Sequence, residues 1–104
     1  EGSFVCGGVV INARAKVGRG VILNTACTID HDCVLEDGVH VSPGANLAGN
    51  VSIGERTWVG IGSAVREGVR VGRDCIIGAG ATVVSDLPDG VTAVGVPARV
   101  LSKK

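Results

Sequence analysis

The sequence predicts an all-β fold: a left-handed parallel β-helix, or hexapeptide-repeat solenoid, of about 4–5 triangular coils. Two observations predict it. An aliphatic residue recurs at every sixth position along most of the chain. The composition of the 104 residues is also unusual, with 17 Gly but one Trp, one Phe, no Tyr and no Met. An ordinary core of this size uses several aromatic side chains to fill its volume, so this core must be narrow.

Two sets of positions define the repeat. The first set contains only aliphatic residues, at Val5, Ile11, Val17, Leu23, Ile29, Leu35, Val41, Leu47, Ile53, Val59, Val65, Val71, Ile77 and Val83. The second set follows four residues later and is small or apolar, at Val9, Ala15, Val21, Cys27, Cys33, Val39, Ala45, Val51, Thr57, Ser63, Val69, Cys75, Ala81 and Leu87. Neither a helix nor an ordinary alternating strand produces a six-residue cycle.

Each hexapeptide is expected to form one short strand and one corner, so three of them complete a coil of about 18 residues. The first set then points into the prism, the second set fits beside the corners, and backbone hydrogen bonds run to the coils above and below. Three of the four cysteines, Cys27, Cys33 and Cys75, belong to the second set. We therefore interpret them as core residues rather than as redox or metal-binding groups.

Charge and cysteine usage limit the possible partners. The chain carries 10 basic and 10 acidic residues, unlike a surface that binds nucleic acid. Its apolar runs are too short to span a membrane, and no signal region opens it. No CxxC pair occurs, and the cysteines are predicted to be reduced. We expect a cytoplasmic protein without nucleic-acid or membrane partners.

Two histidines interrupt the surface pattern. His31 lies at a predicted corner between Asp30 and Asp32, and His40 lies at an outward-facing position. An exposed histidine is often only a solvated surface residue. A neighbouring carboxylate, however, holds an imidazole in one tautomer and raises its basicity, as a general base near neutral pH requires. His31 is therefore a candidate general base.

Steps of 18 residues identify neighbours in adjacent coils. Gly49 lies one coil above His31, where a missing side chain leaves room for a ligand and a free backbone N–H. Trp58 lies one coil above His40. A separate corner column is predicted to line a shallow groove with small or flat residues, at Pro43, Ile61, Ala79 and Pro97.

The spacing of the two histidines predicts an oligomer. His31 and His40 are half a coil apart, so they face different sides of one prism and can meet only across a contact between two chains. Three prisms packed side by side as a C3 homotrimer provide such contacts, with each site in a cleft between neighbours.

The repeat is predicted to occupy residues 1–88, and residues 89–104 form a C-terminal tail that completes the binding site. The tail begins after a turn-rich segment and contains Arg99, Lys103 and Lys104. These cationic side chains either only make the C-terminal end more soluble or supply the positive charge that a bound phosphate group requires.

The repeat, together with Gly-Val-Pro-Ala-Arg at residues 95–99, resembles the hexapeptide acyltransferases. Three stretches narrow the resemblance: Asp-His-Asp-Cys-Val at 30–34, His-Val-Ser-Pro-Gly-Ala at 40–45 and Leu-Ala-Gly-Asn-Val at 47–51. They resemble the sialic acid O-acetyltransferase and UDP-4-amino-sugar N-acetyltransferase group over essentially the whole chain. The resemblance implies transfer of an acetyl group from acetyl-CoA to an amine or hydroxyl of a sugar or nucleotide-sugar.

The resemblance also implies roles for individual residues. His31 corresponds to the proton acceptor of the group and Asp32 to the acidic residue that raises its basicity. His40 corresponds to an acetyl-CoA contact near the thioester, and Ile61 and Ala79 match positions that touch CoA. In the resulting mechanism, the backbone N–H groups near Gly49 hold the oxyanion. Arg99 remains a candidate for a CoA phosphate.

Other interpretations stay open. Members of the group carry an N-terminal α/β domain that holds the nucleotide-sugar, and the 104 residues contain no such segment, so the chain is either a catalytic domain or a short variant with another acceptor. Carbonic anhydrases of the same fold bind zinc with three histidines per site, whereas two histidines occur here. A non-catalytic trimeric scaffold or truncated acetyltransferase domain is the main alternative.

Overall fold

Three parallel sheets form the walls of the solenoid in the computed structural model, which describes residues 2–103. Its strands are β1 Phe4–Val5, β2 Val10–Ile11, β3 Lys16–Val17, β4 Ile22–Leu23, β5 Thr28–Ile29, β6 Val34–Leu35, β7 His40–Val41, β8 Asn46–Leu47, β9 Ser52–Ile53, β10 Trp58–Val59, β11 Ala64–Val65, β12 Arg70–Val71, β13 Ile76–Ile77, β14 Thr82–Val83, β15 Val91–Val94 and β16 Arg99–Lys103. No helix occurs in this part of the chain. The sequence predicted a hexapeptide-repeat β-helix of about 4–5 coils, and the structure confirms it with about five.

Sheet A contains seven strands in the order β1-β4-β7-β10-β13-β15-β16, sheet B contains β14-β11-β8-β5-β2, and sheet C contains β12-β9-β6-β3. Each strand of the repeat pairs in parallel with the strand one coil away. The register is constant through most of the solenoid: Ile22 lies beside His40, which in turn lies beside Trp58. The 18-residue step inferred from the sequence thus relates neighbouring coils.

Both predicted inward sets form the core. From Val21 onward their members are buried, including Leu23, Ile53 and Ile77. Cys27, Cys33 and Cys75 are buried and free, as predicted for core residues. Burial raises the pKa of the Cys27 and Cys33 thiols, so they stay neutral at physiological pH. At the N-terminal end, Val5 and Ile11 of the first set are exposed.

The last coil departs from the predicted register. Leu87 pairs with Val71, and Thr92 pairs with Ile76, so this coil is two residues shorter than the others. Leu87 therefore occupies an aliphatic position of the first set, whereas the sequence pattern assigned it to the second set. The chain then reverses, and β16 runs antiparallel to β15 at the end of sheet A.

Corner geometry also repeats every six residues. From Val5 to Ile77, the residue three positions after each aliphatic residue of the first set has a positive φ. Several of these residues are not glycine, including Arg14 (61°) and Asp32 (59°). Asp and Asn tolerate this left-handed conformation better than most residues. Corner side chains at the same register position therefore stack on those one coil away.

Candidate functional site

The turn between β5 and β6 presents His31 at the corner where sheets B and C meet. Asp30 fixes the turn, because its Oδ1 accepts the His31 backbone N–H at 2.7 Å and the Asn12 side-chain amide at 2.9 Å. These hydrogen bonds lower the pKa of Asp30. Of the two carboxylates that flank His31, this one holds the backbone and not the imidazole.

Asp32 contacts the imidazole. Its Oδ2 lies 3.1 Å from His31 Nδ1. Arg14, one coil below, donates to the same carboxylate twice, from Nε to Oδ1 at 2.7 Å and from Nη2 to Oδ2 at 2.9 Å. Hydrogen bonds from Arg14 and then from His31 lower the pKa of Asp32 to about 2. A carboxylate that is ionised at neutral pH accepts the Nδ1 proton, which leaves the lone pair of Nε2 available to take a proton.

Gly49, one coil above, lies against the Nε2 edge of the His31 ring, away from the Nδ1 that contacts Asp32. A Cβ at Gly49 would lie 2.5 Å from His31 Nε2 and 2.6 Å from Cε1, so any side chain there would displace the imidazole. The Asn50 N–H donates to the His31 carbonyl at 2.9 Å and fixes the spacing of the two coils. Within residues 2–103 no acceptor pairs with the Gly49 N–H. The predicted stacking of Gly49 on His31 is confirmed.

His40 lies on a different wall. It begins β7 in sheet A, and its ring stacks on Trp58 with the centroids 4.2 Å apart and the planes 18° apart. Burial lowers the pKa of His40, which favours the neutral imidazole. Trp58 remains 54% exposed in the single chain. The structure therefore does not bring His40 together with His31 within one chain.

Two members of the predicted corner column lie in adjacent coils of the structure. Ile61 and Ala79 are exposed at the same corner of adjacent coils, and the Gly80 N–H donates to the Ile61 carbonyl at 2.8 Å. Pro97 does not continue the column, because the last coil is two residues shorter and its register places Gly95 above Ala79. That part of the sequence prediction was wrong.

The tail of residues 89–104 contributes two strands, β15 and β16, to sheet A. Arg99 is exposed at the start of β16, opposite Val94 of β15. The side chain of Lys103 and the whole of Lys104 lie outside the described residues.

The sequence interpretation missed Arg14 and Asn12. Arg14 lies 18 residues before Asp32, and Asn12 lies 18 residues before Asp30. The coil count that identified Gly49 above His31 would have identified both residues if it had also been applied toward the N-terminus.

In the single chain, His31 is not enclosed in a pocket. Its side chain is 45% exposed. A surface depression on sheet C is lined by residues such as Gly54 and Asp89, and a smaller one on sheet A is lined by Trp58 and Ile76. Neither includes His31. Among the described residues no group of three His, Cys, Asp or Glu side chains is arranged to hold a metal ion, and no helix is long and apolar enough to cross a membrane.

Several known proteins with similar sequences and structures are acetyltransferases. The family model described as bacterial transferase hexapeptide (six repeats) matches residues 50–85. The acetyltransferase domain of PglB from Neisseria gonorrhoeae, solved with acetyl coenzyme A, is 48% identical with a TM-score of 0.96, over 97% of this chain and 49% of that chain.

A mutant of perosamine N-acetyltransferase from Caulobacter crescentus, solved with CoA and GDP-perosamine, is 39% identical with a TM-score of 0.86, over 97% of this chain and 54% of that chain. Serine acetyltransferase from Salmonella typhimurium is 34% identical over 91% of this chain and 38% of that protein. The chain thus spans about half or less of the length of these three proteins.

Proposed function

We propose that this chain, which is similar to acetyltransferases over most of its length, transfers the acetyl group of acetyl-CoA to an amine or hydroxyl of a sugar or nucleotide-sugar. The observation that carries this proposal is the His31 imidazole, held at Nδ1 by Asp32 and lying under Gly49 with Nε2 available. The similarity to acetyltransferases solved with acetyl-CoA or CoA supports the choice of cosubstrate.

The proposed reaction is a direct transfer without an acyl-enzyme. His31 Nε2 takes a proton from the acceptor amine or hydroxyl as that group attacks the thioester carbonyl. The tetrahedral intermediate then collapses, the C–S bond breaks, and the imidazolium returns a proton to the CoA thiolate. Buried Cys33 is poorly suited to act as a nucleophile, because its thiol donates to the Ala48 carbonyl at 3.1 Å and its pKa is raised by burial.

The Gly49 backbone N–H is the proposed oxyanion donor. It has no acceptor in the described part of the chain, and the residue lies beside the nitrogen that moves the proton. One well-placed donor of this kind contributes about 3–4 kcal/mol to the transition state. The base and the donor thus come from corners of two adjacent coils.

We propose that the complete site lies between two chains of a homotrimer. His31 and His40 occupy different walls of one prism, so a neighbouring chain must supply His40 to a site that contains His31. The exposed apolar surface of Trp58 and Ile76 beside His40 favours burial against another chain. In this arrangement His40 contacts acetyl-CoA near its thioester.

The CoA moiety is assigned to the corner column. Ile61 and Ala79 offer apolar surface along the prism axis, and Arg99 offers a guanidinium for a phosphate group. The tail of residues 89–104 is proposed to complete this part of the site. The free cysteines suit a reducing compartment, and the cytoplasm is the proposed location.

The proposal is tested by incubating the protein with acetyl-CoA and a panel of amino sugars, nucleotide-linked amino sugars and sialic acids. Release of the CoA thiol is expected to depend on one class of acceptor, and product analysis by mass spectrometry distinguishes N- from O-acetylation. In parallel, acetyl-CoA at about 100 times its Kd should stabilise the fold by about 2.7 kcal/mol.

A non-catalytic scaffold predicts neither result. If acetyl-CoA leaves the melting temperature unchanged and no acceptor on the panel releases the thiol, the acetyltransferase proposal is contradicted.

A further inference from the structure

Arg14 makes a bidentate ion pair, here called a fork, with the carboxylate of Asp32, which in turn contacts His31. Two of its nitrogens bind the two oxygens of Asp32 at 2.7 and 2.9 Å, and the second of these oxygens also contacts His31 Nδ1. A planar guanidinium sets the plane of a carboxylate when both bonds form together. Arg14 thereby determines which way Asp32 presents its oxygen to the ring.

The backbone prepares this contact. Arg14 and Asp32 occupy the same register position in adjacent coils, and both have the left-handed φ of that position. The Asp32 N–H also donates to the Ala13 carbonyl at 3.0 Å, which fixes the distance between the two corners. The ion pair is thus built into the stacking of coils and does not depend on a flexible loop.

We infer that Arg14 is a positioning residue for acetyl transfer, which orients the Asp32 carboxylate and moderates the negative charge that His31 experiences. This inference rests on the proposed function of His31 as the general base. Arg14 does not touch the imidazole, so it acts through its contact with Asp32 and through its positive charge.

Few charged groups surround the His31 ring. Asp30 and Asp32 flank it in the same turn, and Arg14 is the cation that the coil below contributes through Asp32. Gly49 contributes no side chain from the coil above. Loss of Arg14 would therefore leave two carboxylates without this neighbouring cation, and a protonated imidazole would become more favourable.

Cys33 does not alter this balance. It is the next ionisable residue along the chain, and its thiol is buried and stays neutral because burial raises its pKa. The charge that the ring experiences therefore comes from the carboxylates of the turn and from the cation below them.

The chain contains a matched control. Arg56 makes the same fork on Asp74, from Nε at 2.8 Å and from Nη2 at 2.9 Å, with φ values of 61° and 55°. Asp74 follows Arg73 and not a histidine, and Arg56 also contacts Glu55 at 3.4 Å. Both forks are exposed, so losing either one should affect stability little.

The test compares Arg14→Gln and Arg56→Gln with the unmodified protein by two measurements. The first is the NMR titration of the imidazole protons, which is simple to assign because the chain has two histidines. The His31 titration midpoint is expected to rise by about half a pH unit in Arg14→Gln and to stay unchanged in Arg56→Gln.

The second measurement is the pH profile of acetyl transfer. Arg14→Gln is expected to lower kcat about tenfold and to move the acid limb of kcat/KM to higher pH, whereas Arg56→Gln leaves the position of that limb unchanged. Arg14→Lys keeps the charge without the fork, so it should restore the NMR midpoint while recovering only part of the rate.

Equal NMR midpoints in Arg14→Gln and the unmodified protein would overturn the inference, and so would an identical effect of Arg56→Gln. The NMR measurement does not require turnover. Absence of acetyl transfer in the unmodified protein would instead contradict the proposed function, so the two failures are distinguishable.

Discussion

Replacing His31 by alanine is expected to lower kcat/KM for acetyl transfer by about a hundredfold to ten-thousandfold, the usual contribution of a positioned general base. The reason is local: in the described structure the Asp32-held imidazole is the group whose free nitrogen faces Gly49. The His31 side chain is partly exposed and is not part of the hydrophobic core, so the His31→Ala protein should fold as the unmodified protein does. Steady-state kinetics at saturating acetyl-CoA measure the effect, and a thermal melt verifies the fold.

Two further results are expected around this position. Free imidazole should restore part of the rate of His31→Ala, because the vacant corner is open to solvent. Asp32→Asn should also lose activity, since an amide no longer requires the tautomer in which Nδ1 carries the proton. Full acetyl transfer by a correctly folded His31→Ala protein would mean that another group removes the proton, and the assignment of His31 would then be wrong.

Replacing Gly49 by alanine is expected to reduce activity about a hundredfold, because displacement of a catalytic group by about 1 Å has this cost. The new Cβ would lie 2.5 Å from His31 Nε2, and the ring must rotate away to relieve the overlap. Gly49 has no left-handed φ, so the backbone itself accommodates alanine. The loss should therefore appear in kcat, with a nearly unchanged melting temperature.

Gly7→Ala is the matched control for this variant. Gly7 occupies the same position of its hexapeptide as Gly49, and nothing lies within 4 Å of the Cβ that alanine would add there. This substitution should leave kcat unchanged. Equal activities of Gly49→Ala and the unmodified protein would show that the transfer does not require the observed position of the imidazole.

The period of the sequence predicted the fold, because each aliphatic side chain of the first set fills one side of a narrow prism. Counting by 18 residues also predicted correctly that Gly49 lies over His31 and that Ile61 lies beside Ala79. The count failed in the last coil, where Leu87 takes the aliphatic position two residues early. Composition alone does not reveal that shortening, since Leu87 is acceptable at either inward position.

Side-chain orientation was less predictable than position. The sequence placed His31 between two carboxylates but did not indicate that Asp30 binds the backbone while Asp32 binds the ring. That division follows from the turn geometry, in which the residue after His31 has a left-handed φ. A step of 18 residues back from Asp32 identifies Arg14 as its neighbour, but spacing alone does not specify the bidentate contact between them.

The central claim is that two chains build one acetyl-transfer site, with His31 from one chain and His40 from its neighbour. The most direct measurement is the activity of mixed trimers that contain both His31→Ala and His40→Ala chains, co-expressed with different affinity tags and purified on both. Each single variant should be nearly inactive, whereas a mixed trimer retains one intact site in three and should recover about a third of the original activity. Mixed trimers that are as inactive as either variant alone would contradict the claim, because both histidines would then have to come from the same chain.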